Sequence, residues 1–243
     1  MPHQKWPCDF LHLYYDLHTH KIPEGNEDIC SIVNVSFCSE AFAIPSNEPA
    51  TVSTDGVTNA AEQYCCSIGI HPWHIKTENI QKNLDLIEKY ATFHNVKAIG
   101  ECGLDKLCRT DFNLQKEVFL SQIAISEKAG KPLIIHCVKS FDEMVDFKKK
   151  TQPRQAWIIH GFRGKPEQAI QLTNLGFYLS FGLNYNEESL KKIPMERLFL
   201  ETDDSDCDIQ TLYQKAAKIL RIPEQKLVQQ IGENVNFIVM SFS

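Results

Sequence analysis

No apolar run in this chain nears the length that a bilayer crossing needs. The opening segment, MPHQKWPCDF, lacks a signal peptide's apolar stretch, so the expectation is a soluble protein that stays in the cytoplasm, with no membrane association. An excess of positive charge is also missing. Twenty-five Lys and Arg against 31 Asp and Glu leave a net charge of −6, which argues against a protein that coats nucleic acid non-specifically. It does not exclude an enzyme of phosphate esters, because bound cations can supply positive charge locally. No CxxC pair occurs. The nine cysteines are an odd number, scattered singly apart from Cys65-Cys66, which fits reduced thiols better than a disulfide framework. No repeat, low-complexity tract or linker divides the chain, and residues 1–243 read as one domain with no obligate protein partner evident.

What the chain does have is alternation. Short β-branched or aromatic runs, LHLYYDLH, SIVNVSF, YCCSIGI, VKAIGE, PLIIHC, AWIIH, FYLSFG and LFLETD, are separated by longer amphipathic segments. One helix is expected to start on Thr77 as N-cap, with Ile80, Leu84, Ile87 and Ala91 on one face. A second runs from about Asn113 to Ala129 and stops at Gly130; a third has Pro166 in its first turn and Gly176 just past its end. Two more close the chain near 208–220 and 223–240. About eight strands alternating with helices is the count of an α/β (β/α)₈ barrel of the TIM type, with a doubly wound sheet as the competing arrangement. Lys21 to Ile29 and Ser39 to Asn59 are short or rich in polar and breaker residues, so the early helices are expected to be shortened or missing.

The polar residues fall in a pattern. His18 and His20 end the first strand, His71 follows the third, Glu101 ends the fourth, His136 the fifth and His160 the sixth, while Asp203 follows the eighth. Each comes after an apolar run, so in a parallel barrel all would open on the C-terminal face, where barrel enzymes keep their chemistry. Strand periodicity projects His18 and His20 together into the mouth, and turns Cys102 and Cys137 toward the helical layer. Imidazole plus carboxylate without thiolate suits a catalytic divalent metal such as Zn²⁺, Mn²⁺ or Mg²⁺ better than a closed structural zinc site. A single histidine at a strand end would ordinarily be a satisfied core or surface residue; four histidines and two carboxylates at the ends of five apolar strands make chance a poor explanation. Asp16, deeper on the same strand face, reads as a support for the histidines.

The segments DLHTH, GIHPW, GECGLD, KPLIIH, HGFRG and LFLETD, in this order, resemble the signature segments of TatD-type metal-dependent hydrolases of the amidohydrolase superfamily. The spacer LQKEVFLSQIAISEKAG and the closing GENVNF resemble that family too, and the likeness covers roughly residues 14–238. The resemblance implies a TIM-like barrel whose one- or two-metal centre hydrolyses phosphodiester or related ester bonds by attack of metal-bound hydroxide, with nucleic-acid 3′ ends or small phosphodiesters as substrates. It implies that His18, His20 and Asp203 hold one metal, that His136 and His160 hold a second, and that Glu101 bridges them. Glu101 and Asp203 would be the catalytic carboxylates, Asp203 orienting or deprotonating the attacking water. His71 is expected to contact substrate or support a ligand.

Three departures from the family pattern bear on substrate. An arginine usual two residues after the fifth-strand histidine is Val138 here, followed by Lys139; the usual ETDxP is ETDDS, with Ser205 for proline and further acid at Asp206 and Asp208; and the segment after the first strand is short. Losing the arginine removes a bidentate phosphate clamp, and Arg163 in HGFRG is the candidate to restore substrate-binding charge at the rim. The competing readings are a PHP-type phosphoesterase, a cyclic amidase or lactonase of the same superfamily, and a metal-binding scaffold without turnover. The second class often bridges its metals with a carboxylated lysine, and the fourth strand here offers Glu101 in that place.

Overall fold

The computed structural model describes residues 13–22, 26, 28–36 and 64–240. Eight strands form one sheet in sequential order, and every neighbouring pair is parallel. They are β1 (Tyr14–Thr19), β2 (Ile29–Ser36), β3 (Cys65–Gly69), β4 (Val96–Asp105), β5 (Leu133–Val138), β6 (Trp157–Ile159), β7 (Phe177–Phe181) and β8 (Leu198–Leu200). The helices are α1 (Ile80–Tyr90), α2 (Phe112–Ala129), α3 (Phe141–Thr151), α4 (Pro166–Asn174), α5 (Glu187–Lys192), α6 (Ile209–Leu220) and α7 (Glu224–Val235). This is the TIM-like barrel, and the doubly wound alternative is excluded by the sequential strand order. No α-helix occurs among the described residues between β1 and β2, and the expected loop from Ser39 to Asn59 lies outside the described residues.

Local chemistry accounts for most element ends. Asp111 caps α2 by accepting from the Leu114 amide at 2.9 Å, and Gly130 takes the left-handed conformation that closes that helix. Thr77 does not open α1 as expected. Thr77 to Asn79 form a single 3₁₀ turn, and the α-helix begins at Ile80 without a side-chain cap. Ile87 and Ala91 are buried on its inner face, while Ile80 and Leu84 are half-buried against the core. The fourth strand is longer than its apolar run suggested: it continues through Glu101 to Asp105, so Glu101 lies within the strand rather than at its end. Gly103 permits this. A Cβ there would meet the His136 carbonyl oxygen at 2.1 Å, and its φ of +141° disfavours other residues. β4 and β5 can therefore run close together past both functional positions.

The barrel closes on a seam built differently from its other contacts. Only one β-bridge joins β1 to the chain after β8 among the described residues, between Thr19 and Asp203. There the Asp203 amide donates to the His18 carbonyl at 2.9 Å, and the His20 amide to the Asp203 carbonyl at 3.0 Å. Lower on the seam, side chains replace the ladder. Asp16 accepts from the Thr202 amide (2.9 Å) and hydroxyl (2.6 Å). The Tyr213 hydroxyl, from α6, accepts from the Tyr15 amide at 3.1 Å and donates to the Tyr15 carbonyl at 3.0 Å. Asp16 thus supports the strand, as the sequence suggests, and burial raises its carboxyl pKa to about 7 in spite of the two Thr202 hydrogen bonds.

The closing GENVNF segment has a structural role. Asn234, buried on α7, donates to the carbonyls of Met195 (2.8 Å) and Leu198 (2.9 Å), tying the last helix to the start of β8. The seven described cysteines are free, and Cys102 is fully buried. No helix among the described residues is long and apolar enough to cross a membrane. Replacing Tyr213 by Phe leaves two buried backbone groups of Tyr15 unpaired, so chemical denaturation is expected to show a loss of about 1–3 kcal/mol. A loss below about 0.5 kcal/mol would mean that the seam does not depend on that hydroxyl.

Candidate metal centre

The closing bridge determines what meets at the mouth. Asp203 adopts φ +55°, a left-handed conformation that aspartate tolerates better than most residues. Its backbone is fixed between His18 and His20, and its carboxylate lies beside both rings. Asp203 Oδ1 is 3.6 Å from His18 Nε2 and 3.4 Å from His20 Nε2. Both imidazoles also approach Glu101 Oε2, at 3.4 and 3.7 Å. His18 is fully buried, and neither of its ring nitrogens has a hydrogen-bond partner. A buried imidazole left unsatisfied on both nitrogens is costly unless something else takes a lone pair.

Glu101 is the common neighbour. Its Oε1 lies 2.9 Å from His136 Nδ1, 2.8 Å from His160 Nε2 and 3.0 Å from His71 Nε2. Asn34 of β2 holds the glutamate at both ends, donating to Oε2 at 3.1 Å and accepting from the Glu101 amide at 3.1 Å. Burial alone would raise the Glu101 pKa, but His160, His136 and His18 around it hold it well below the ordinary carboxylate range. Burial likewise works against a charged His160, yet Glu101 and Glu201 raise its pKa well above that of free imidazole. For Asp203 the burial cost is outweighed by its hydrogen bond from His20 and by the charges of His160 and His18, so its pKa is lowered. Hydrogen bonds to Asp203 and Glu101 raise His20 to about 9.

The outward nitrogens sort the histidines into two kinds. His160 Nδ1 is 3.2 Å from Glu201 Oε1, and His136 Nε2 is 3.2 Å from Asp105 Oδ2. With a metal bound, each outer carboxylate would accept a ring N–H and the inward nitrogen would give its lone pair to the ion. This carboxylate–histidine arrangement is the one metal-binding imidazoles use. His71 has the opposite polarity. Its Nδ1 accepts from the Trp73 amide at 3.1 Å, so in the neutral ring Nε2 carries the proton and donates to Glu101. Burial keeps His71 neutral by lowering its pKa. It therefore offers a hydrogen-bond donor to the centre, not a lone pair.

The structure brings together His18, His20, His71, Glu101, His136, His160 and Asp203. Ligand atoms lie within 4.8 Å of one another in the sets His18–His20–Asp203, His18–Glu101–His160, His71–Glu101–His136 and His160–Glu201–Asp203. The donor chemistry fits a divalent metal: nitrogen and oxygen only, an orphaned buried imidazole, and outer carboxylates that set the tautomers. Arg163 lies apart from this group, exposed on the loop after β6, with no hydrogen bond or ion pair.

Sequence reasoning missed three residues: Asn34, Asp105 and Glu201. Each had a signal. Asn34 is the polar residue inside the SIVNVSF strand, Asp105 sits four residues from Glu101 on the same strand face, and Glu201 alternates with Asp203 as His18 does with His20.

A family model described as TatD related DNase matches residues 15–238 of the chain. An Enterocytozoon bieneusi protein named a TATDN1 homolog is 33% identical over 183 residues, which cover 69% of this chain and 66% of that one. The Bacillus subtilis uncharacterized metal-dependent hydrolase YabD is 34% identical over 146 residues, 56% of this chain and 57% of its own. The chain thus spans less than two thirds of the length of either relative. Among solved structures, Escherichia coli YJJV, a TatD homolog, superimposes with a TM-score of 0.76 at 18% identity, over 95% of this chain and 99% of that one; at that identity the likeness speaks for the barrel alone. Fold, site segments and family model agree: this chain belongs to the TatD-related DNase family.

Proposed function

We propose that the chain is a metal-dependent phosphodiesterase that acts on nucleic-acid 3′ ends or on small phosphodiesters. The observation that carries this reading is the convergence of His18, His136 and His160 on Glu101, with Asp203 beside His18 and His20. His18, His20 and Asp203 would hold one divalent ion, His136 and His160 a second, and Glu101 would lie between them. Bound there, zinc, manganese or magnesium supplies Lewis acidity and lowers the pKa of water at the site. Family membership favours this over the PHP-type alternative.

The chain's own residues define the rest of the reaction. Water attacks phosphorus and the P–O bond to the leaving group breaks; the proton of the attacking water passes to Asp203, and the leaving oxygen takes up a proton from solvent. That carboxylate stands beside both paired histidines, and the seam fixes its backbone. His71, kept a donor by Trp73's amide on Nδ1, gives its Nε2–H to Glu101 and so helps to hold that carboxylate in place. Asn34 prevents Glu101 from rotating away from the imidazoles. Arg163, exposed and unpaired at the rim, supplies charge to the substrate's next phosphate.

Purified protein reconstituted with Mn²⁺ should hydrolyse bis(p-nitrophenyl) phosphate or a single-stranded oligonucleotide, lose that activity on EDTA treatment and regain it with added metal. Bound metal without EDTA-sensitive turnover would instead support the scaffold reading. Asp203→Asn should lower kcat by roughly 10²–10⁴; a loss under tenfold would remove Asp203 from the proton-accepting role. Arg163→Ala should raise KM on an oligonucleotide by about fivefold with kcat held, as expected of one exposed charge contact, and an unchanged KM would discard that contact.

A further inference from the structure

The mouth of the barrel carries apolar side chains that the metal centre does not use. Of the eight large hydrophobic residues exposed among the described ones, Ile22, Trp73, Leu107 and Leu183 lie on the segments that leave β1, β3, β4 and β7. Trp73 stands out because it is both open and held. It is 60% exposed, yet its indole Nε1 donates to Asp105 Oδ2 at 2.6 Å, and Asp105 is itself buried. Its ring lies edge-to-face with His71 (5.0 Å between centroids, 88°) and with His136 (5.8 Å, 75°). Both of those imidazoles touch Glu101, so the indole sits one ring away from the centre.

Core packing does not explain a tryptophan that leaves more than half of its surface in water. A hydrogen bond to a buried carboxylate removes rotamer freedom that an exposed indole would otherwise keep, and so presents a fixed π surface. Two of the rim lysines are already paired with acids. Lys106 is paired with Glu143 at 2.7 Å, and Lys21 with Asp206. Base–aromatic stacking is the contact that an oriented indole adds to the charge this rim supplies.

We propose that Trp73 is the stacking platform for the base of the 3′-terminal nucleotide whose phosphodiester enters the centre, an inference that rests on the phosphodiester reading above. Every base has a π face, so this contact distinguishes a base-bearing end from an abasic one without reading sequence. Trp73 is then a specificity residue, and the substrate class narrows from phosphodiesters in general to ends that carry a base.

The test compares each protein with itself, so that any disturbance of the centre cancels. Metal-loaded wild-type protein, Trp73→Ala and Trp73→Phe are titrated with two 5′-fluorescein, phosphorothioate-linked oligonucleotides, identical except that one has an abasic 3′ terminus. Fluorescence anisotropy gives the two dissociation constants. Wild-type protein should favour the base-bearing end about tenfold. Trp73→Ala should bring the ratio to about one, and Trp73→Phe should keep most of it. A wild-type ratio of one, or an undiminished ratio in Trp73→Ala, overturns the proposal. Turnover of the unmodified oligonucleotide is read separately. A protein that shows the ratio but never cleaves refutes the hydrolase reading and leaves Trp73 in place; cleavage with base-independent binding does the reverse.

Discussion

Barrel closure at Asp203 is the constraint on which the rest of this structure depends. A parallel barrel must join its last strand to its first, and here one backbone bridge at the mouth carries that join. The same residue that accepts and donates across the seam places its carboxylate within 3.6 Å of His18 and His20. Closure and assembly of the centre are therefore one event. Below the bridge, Asp16 and Tyr213 take over hydrogen bonds that an eighth-to-first ladder would make. Asp16 is buried and near neutral in pKa, so it anchors Thr202 without adding a full charge beneath the histidines.

Around Glu101 the electrostatics are reciprocal. One buried carboxylate stands among several imidazoles, and each side lowers the cost of burying the other. Glu201 and Asp105 extend this compensation outward, and as acceptors for the distal N–H groups they would turn the lone pairs of His160 and His136 toward a bound metal. His71 shows how little is needed to reverse that polarity. A single backbone amide on Nδ1 makes it a donor. Spacing alone could not separate these two kinds of histidine, because the distinction lies in what touches the far side of each ring.

Much of the architecture was legible because its physics is local and periodic. Apolar runs followed by His, Glu or Asp marked the strands and the face on which they open, and Gly130 and Pro166 marked helix ends. The extension of β4 from Glu101 to Asp105 was not legible, because a strand through Gly103 depends on close approach to β5. Thr77 had the chemistry of a cap but sits in a 3₁₀ turn that precedes the helix. Asn34, Asp105 and Glu201 each carried a periodic hint, yet their roles depend on partners 31 to 67 residues away.

The departures from the family pattern fall at the rim, where Val138 and Lys139 replace the expected arginine and Lys21 pairs with an acid of the ETDDS loop. The deeper residues, built by the seam and by Glu101, are independent of these changes. The most direct test of that account is anomalous diffraction from crystals grown with zinc or manganese. The account predicts a strong peak among His18, His20, Glu101 and Asp203, lost in an Asp203→Ala crystal grown with the same metal. A peak elsewhere in the barrel, or one that persists without the Asp203 carboxylate, would contradict it.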